Sequence, residues 1–207
     1  MTSLPKIFFV LGPPGVGKGT QCMLLAQLSS RHRHIHHISI GDILRSELQK
    51  PSSKWASIIR ANMAEGRTGP PEMSVSMLQE AIARRSEDTK PGKELIILID
   101  GFPRSIYPIS LFESTVCAPS LVLSLHCPLQ ILQERLLSRA KSSSRIDDGV
   151  EIMHKRFEQH VCATGPVIEN YRERGLLAEI DASRSVEEVH RDVWGQWRRS
   201  WGSIKNE

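Results

Sequence analysis

Apolar, β-branched runs occupy Ile7 to Leu11, Glu94 to Ile99 and Leu121 to Leu125, with a shorter run at Leu177 to Ile180. Runs that are apolar at nearly every position, rather than every second one, belong to strands covered on both faces. A short strand near His37 to Ser39 makes five, and longer stretches of helical spacing separate them. The pattern predicts an α/β fold in three layers, with a central five-stranded parallel sheet flanked by helices.

The helical stretches carry their own signals. Met23, Leu24, Leu25 and Leu28 form an amphipathic stripe on a first helix, and Val186, Val189, Val193, Trp194 and Trp197 form the stripe by which a last helix seals the sheet, with Trp201 beyond it. From Gly41 to Gly92 the chain is far longer than one crossover needs, which implies an inserted cap. Within it, Gly41-Asp42 begins a helix through Leu44 and Leu48, Pro51-Ser52-Ser53 starts another, and Gly66 to Pro71 turns rigidly into a third. A second, polar and serine-rich insertion spans Arg139 to Gly149.

Composition narrows the class. The chain has 207 residues, 40% of them hydrophobic, and no apolar run long enough to span a bilayer, so one soluble domain without a membrane role is expected. The first strand begins so near Met1 that no leader or transit peptide is expected before it, and a cytoplasmic location, also nuclear, is the expectation. Cys22, Cys117, Cys127 and Cys162 are scattered, predicting neither disulfides nor structural zinc. The formal charge of +4 suits anionic small molecules rather than a nucleic acid. The histidine-rich stretch from Arg31 to His37 reads as a solvated loop, not a metal site.

The sharpest chemical signal follows the first strand. Gly12-Pro13-Pro14-Gly15-Val16-Gly17-Lys18-Gly19-Thr20 is a glycine-rich loop between a buried strand and a helix. Glycines let consecutive N–H groups converge, the helix adds its positive end, and Lys18 supplies an ammonium for the outer phosphates of a nucleoside triphosphate. Asp100 stands at the carboxyl end of another buried strand, where it can organise magnesium and its waters. Arginines are dispersed at loop edges and helix starts, as phosphoryl transfer requires: Arg45, Arg104, Arg139, Arg145 and Arg156.

Gly-Lys-Gly-Thr-Gln-Cys at 17–22, Gly-Asp-Ile-Leu-Arg at 41–45 and Asp-Gly-Phe-Pro-Arg at 100–104 together resemble the short-lid adenylate kinase family of nucleoside monophosphate kinases. The likeness continues through Arg139, Arg145, Asp147-Asp148, Arg156-Phe157, Thr164-Gly165-Pro166-Val167-Ile168 and Ile180-Asp181-Ala182-Ser183, covering nearly the whole chain. It implies a P-loop fold with a core at 1–38, 70–138 and 150–207, a helical monophosphate-binding insertion at 39–69 and a short lid at 139–149. ATP would lie on Pro14, Gly15, Val16, Gly17, Lys18, Gly19 and Thr20, with Arg139 beside it and the backbone near Arg184 at its base. The monophosphate would meet Gly41, Arg45, Arg67, Gly101, Phe102, Pro103, Arg104, Pro108, Arg145 and Arg156. Lys18, Arg104, Arg139, Arg145 and Arg156 would carry catalysis, the last two gathering the transferring group. Asp147 and Asp148 would order the lid, and Asp100, with Thr20 indirectly, would serve Mg2+ bound with ATP. A monomer is compatible with the short lid.

Four positions depart from the family pattern: Ile40 for Thr or Ala, Gly69 for Val, Pro108 for Gln or Asn, and Ser144 for Gly. Pro108 replaces the amide that reads the acceptor's base, and proline has neither an amide side chain nor a backbone N–H. Lys141-Ser142-Ser143 and His126-Cys127-Pro128 look more like the UMP/CMP branch, so UMP or CMP is the expected acceptor. AMP is the alternative, as is a nucleotide-binding protein or simple ATPase that has lost its acceptor.

Overall fold

The computed structural model describes residues 4–140 and 150–200. Five strands, β1 (Lys6–Leu11), β2 (Arg33–Ser39), β3 (Glu94–Asp100), β4 (Leu121–His126) and β5 (Leu177–Asp181), form one sheet in the order β2-β3-β1-β4-β5. Every pairing is parallel. The chain leaves β1 for the far edge, returns to fill β3, and later passes to the other side of β1. The carboxyl ends of β1 and β3 therefore lie together where the winding direction changes, the crevice in which such sheets bind ligands.

Helices cover both faces. On one, α4 (Pro71–Asp88), α5 (Tyr107–Thr115) and α8 (Gly165–Glu173) bury Leu78, Phe112 and Tyr171 against Ile7, Phe9 and Ile97. On the other, α1 (Lys18–Ala26) and α9 (Val186–Arg199) bury Cys22, Leu25, Val193 and Trp197 against Phe8, Val10 and Leu98. Phe9 meets the rings of Phe102, Phe112 and Tyr171 edge-on at 5.3–6.0 Å, the arrangement that the ring quadrupole favours. Between β2 and α4 stand α2 (Ile40–Leu48) and α3 (Ala56–Ala64); α6 (Leu129–Ala140) follows β4, and α7 (Val150–Gln159) runs through a π-helical turn, His160–Thr164, into α8.

The structure corrects several expectations. The histidine stretch is strand, not solvated loop: β2 pairs with β3 along its whole length. Ile35 packs into one core and Ile38 into the other, and an edge strand tolerates the polar residues between them. On α1 the buried residues are Gln21, Cys22 and Leu25, whereas Met23 and Leu28 are exposed. Gln21 is the anchor, donating to the Val186 carbonyl at 3.1 Å and meeting His190 Nδ1 at 3.1 Å. Val186 itself is exposed, leaving Val189, Val193 and Trp197 as the sealing stripe of α9. The helix expected from Pro51 begins at Ala56, after Trp55 N–H has donated to Ser53 Oγ at 3.1 Å. Ser39, set as the first residue of the insertion, is the last residue of β2 and the cap of α2, accepting from Asp42 N–H.

Candidate active site

β1 ends at Leu11 and the loop beyond it is shaped by glycine. Gly12 has φ of 144°, and a Cβ there would lie 2.5 Å from the Leu125 carbonyl oxygen. Gly17, at φ of 99°, caps α1 in the left-handed region without a side-chain hydrogen bond. The first N–H groups of α1 are thereby left aimed at the loop's concavity. Lys18 folds back over the loop, its Nζ donating to the carbonyls of Gly12 at 2.9 Å and Pro13 at 3.0 Å. Desolvation lowers its ammonium to about 8; Asp100 opposes the shift, and Arg104 and Arg156 reinforce it.

Asp100 ends β3 in register with Val10, beside that loop. Its side chain is 13% exposed, and its Oδ2 lies 3.5 Å from His37 Nε2. Asp100 and Thr20 line one cleft with Lys18, and a Cβ on Gly19 would stand 3.6 Å from Asp100 Oδ2, so the loop passes close to the carboxylate without covering it. One carboxylate and one hydroxyl beside a phosphate cradle fit Mg2+, which keeps most of its waters and takes its remaining oxygens from substrate phosphates.

Three clefts meet here. The loop cleft runs from Gly15, Lys18 and Thr20 past Asp100 to Arg135 and Arg139. A smaller cavity lies under Pro14 and Lys18, bounded by Pro103, His160 and Thr164. The third opens between α2, α3 and the start of α5, with Gly41, Leu44, Arg45, Arg67, Phe102 and Pro108 in its wall. Arg104 and Arg156 line all three. Arg104 is held by its Nε donating to the Gly101 carbonyl at 2.9 Å, and Arg45 pairs with Asp42 at 2.5 Å. Arg67 pairs with Glu65 at 2.5 Å on the rim.

Most residues singled out in the sequence thus gather at this junction. Phe102 lines the third cleft although only 3% exposed, whereas Val16, 2% exposed, packs in the core with Phe8 and Val10 and lines none of the three. The Arg184 guanidinium pairs with Asp192 and donates to the Asp181 carbonyl, while the Arg184 carbonyl, the backbone expected near the ATP base, accepts from Arg135 of the loop cleft at 3.3 Å. Arg145, Asp147, Asp148 and Ser144 lie outside the described residues, as does Trp201. The structure adds residues that no local motif marks. Arg135, one turn before Arg139 on α6, donates to the Ala182 carbonyl at 2.8 Å. His160 enters on the π-helical turn, its imidazole pushed down to about 4 by burial and then by Lys18 and Arg104. Asn62 comes from α3.

A parallel sheet whose first strand runs through a glycine-rich loop into a helix, with arginines facing that loop, defines the class of P-loop nucleotide-binding proteins that handle phosphoryl groups. The family model described as "Adenylate kinase" matches residues 10–176. A UMP-CMP kinase of Lentinula edodes is 40% identical over 189 residues, covering 89% of this chain and 82% of that protein. A uridylate kinase of Saccharomyces cerevisiae is 38% identical over 188 residues, covering 91% and 88%. An adenylate kinase 1 of Schistosoma mansoni is 38% identical over 184 residues, covering 89% and 88%. The chain belongs to the adenylate kinase family. Among the described residues, no helix is long and apolar enough to cross a membrane.

Proposed function

We propose that the protein catalyses reversible transfer of the γ-phosphoryl group of ATP to UMP or CMP, giving ADP and UDP or CDP. The observation that carries this reading is that Arg104 and Arg156 line both the phosphate-loop cavity and the cleft beyond it. Phosphoryl transfer asks little covalent chemistry of a protein; it asks for in-line placement of two anions and positive charge around the equatorial oxygens. The loop from Pro14 to Thr20 would hold the ATP phosphates, with Lys18 leaving the Gly12 and Pro13 carbonyls to reach them. Arg45 and Arg104 would hold the acceptor phosphate by bidentate forks, with Arg67 at the rim. Arg139, Arg145 and Arg156 would gather the group in transit. Asp100 and Thr20 would hold Mg2+, largely through water, and the ion would neutralise charge on the outer phosphates.

Residues 40–69, after β2, would form the monophosphate-binding insertion in this reading, and 139–149 the lid, ordered by Asp147 and Asp148. Their closure would complete the arginine ring only when both ligands are present, which keeps water from accepting the phosphoryl group. The pyrimidine acceptor is supported by the names of the first relatives, and AMP stands second because the Schistosoma mansoni relative is an adenylate kinase.

The test is incubation with MgATP and, separately, UMP, CMP, AMP, GMP and dTMP, with diphosphates and free phosphate quantified. UDP and CDP should exceed the other products, and Lys18→Ala should lower turnover at least about a hundredfold. ADP made mainly from AMP would overturn the acceptor. Free phosphate without diphosphate, or unchanged turnover in Lys18→Ala, would overturn the mechanism.

A further inference from the structure

The cleft beyond the phosphate loop has two chemically different parts. Gly66, Thr68, Gly101, Arg104 and Arg156 are shared with the phosphate cavity, whereas Ile59, Asn62, Met63, Gly69, Met73 and Pro108 are not. Ile59, Met73 and Met63 pack into one apolar cluster between α3 and α4. The second part is therefore where the uncharged portion of an acceptor would lie, against aliphatic and thioether groups.

In that part Asn62 is the one carboxamide among the described lining residues. Its backbone carbonyl accepts from Arg67 N–H at 2.8 Å, which fixes its place at the end of α3. Its half-buried side chain has no hydrogen-bond partner among the described residues. An amide that loses water to an arriving ligand without gaining a bond costs binding, so its natural complement is a ligand edge carrying donor and acceptor side by side. A carboxamide presents both, and by flipping presents them in either order. That matches N3–H and O4 of uracil as well as N4–H2 and N3 of cytosine.

Gly69 belongs to the same arrangement. A Cβ on it would overlap Met73 Cε and stand 3.4 Å from Asn62 Nδ2. The absent side chain at 69 leaves room for both, while Pro108 brings no amide to the cleft. We propose that Asn62 reads the hydrogen-bonding edge of the acceptor's base, a role that position 108 cannot fill here, and that Gly69 keeps the space for it. The inference rests on the transfer reading above and names how that site selects its acceptor.

Calorimetric binding of UMP, CMP and ribose 5-phosphate, the last lacking a base, to the wild type and to Asn62→Ala tests it, alongside steady-state kinetics. Alanine is the better helix former at this position, so the variant keeps its fold. UMP and CMP should bind about tenfold more weakly to the variant, while ribose 5-phosphate affinity and the KM for ATP stay the same. Equal losses for UMP and ribose 5-phosphate, no loss for UMP, or a wild type that binds UMP no more tightly than ribose 5-phosphate would each overturn the assignment. Absence of diphosphate from every monophosphate with the wild type is a separate result and defeats the transfer reading instead.

Discussion

Replacing Gly69 by valine isolates the packing half of this picture. The new Cβ would overlap Met73 Cε, and Met73 is 2% exposed among Ile59 and Met77. Forcing extra carbons into a packed site costs about 1–3 kcal/mol, and the flexibility of a methionine side chain favours the lower half, about 1–2 kcal/mol. For a chain of this size that lowers the melting temperature by about 2–8 °C. The displaced thioether has the acceptor cleft as its outlet, so the KM for UMP should rise while the KM for ATP does not. Thermal melts read by circular dichroism and initial rates at varied UMP and ATP check both. A second substitution, Met73→Val, removes the overlapping atoms. The double variant should be more stable than the sum of the single effects implies, by at least about 0.5 kcal/mol. An unchanged melting temperature for Gly69→Val, or strict additivity in the pair, would refute the argument that Gly69 exists to admit Met73 and Asn62.

Two further outcomes follow from other parts of the molecule. His160 sits at about 4 in the folded protein against an ordinary 6.5; between those values the unfolded chain binds a proton that the folded one does not. Stability should therefore be full above pH 6.5 and fall toward pH 4, this residue contributing on the order of 3 kcal/mol to the loss. Urea denaturation at pH 7 and pH 5 should show a shallower acid loss in His160→Phe, and an identical loss would contradict the assignment. Trp197 is 1% exposed and meets Phe8 edge-on at 5.8 Å. Trp197→Ala should cost about 3–5 kcal/mol in chemical denaturation, and a cost under about 1 kcal/mol would mean that α9 does not seal this face.

What could be read from the chain alone depended on whether the information was local. β3 and β4 were legible because central strands of a parallel sheet are apolar at nearly every position. Of β2 only the end, His37 to Ser39, was legible, because an edge strand shows one apolar residue to each core and intersperses them with His34, His36 and His37. The same distinction applies to the site. The phosphate loop and Asp100 to Arg104 are continuous segments whose spacing carries their geometry. Asn62, Arg135 and His160 come from α3, α6 and the π-helical turn, and each resembles an ordinary helix residue until the sheet brings those elements to one crevice. Likewise, nothing in Gly69 as a letter shows that it yields its volume to Met73, four residues along the chain.

The charges gathered at the site also bear on why the arginines are distributed over separate elements. Burial first, and then repulsion from Arg104 and Arg156, brings the Lys18 ammonium down to about 8. Asp100 is the carboxylate that opposes this, and Lys18 turns to the carbonyls of its own loop. Adding more fixed cations to one rigid element would deepen that cost with no anion present. Bringing them from α6, α7 and the turn after β3 lets the positive charge assemble as phosphates arrive, each anion lowering the repulsion that the next cation meets. In the transfer reading, a phosphorylated acceptor would be favoured over water because its charge offsets the repulsion among these cations.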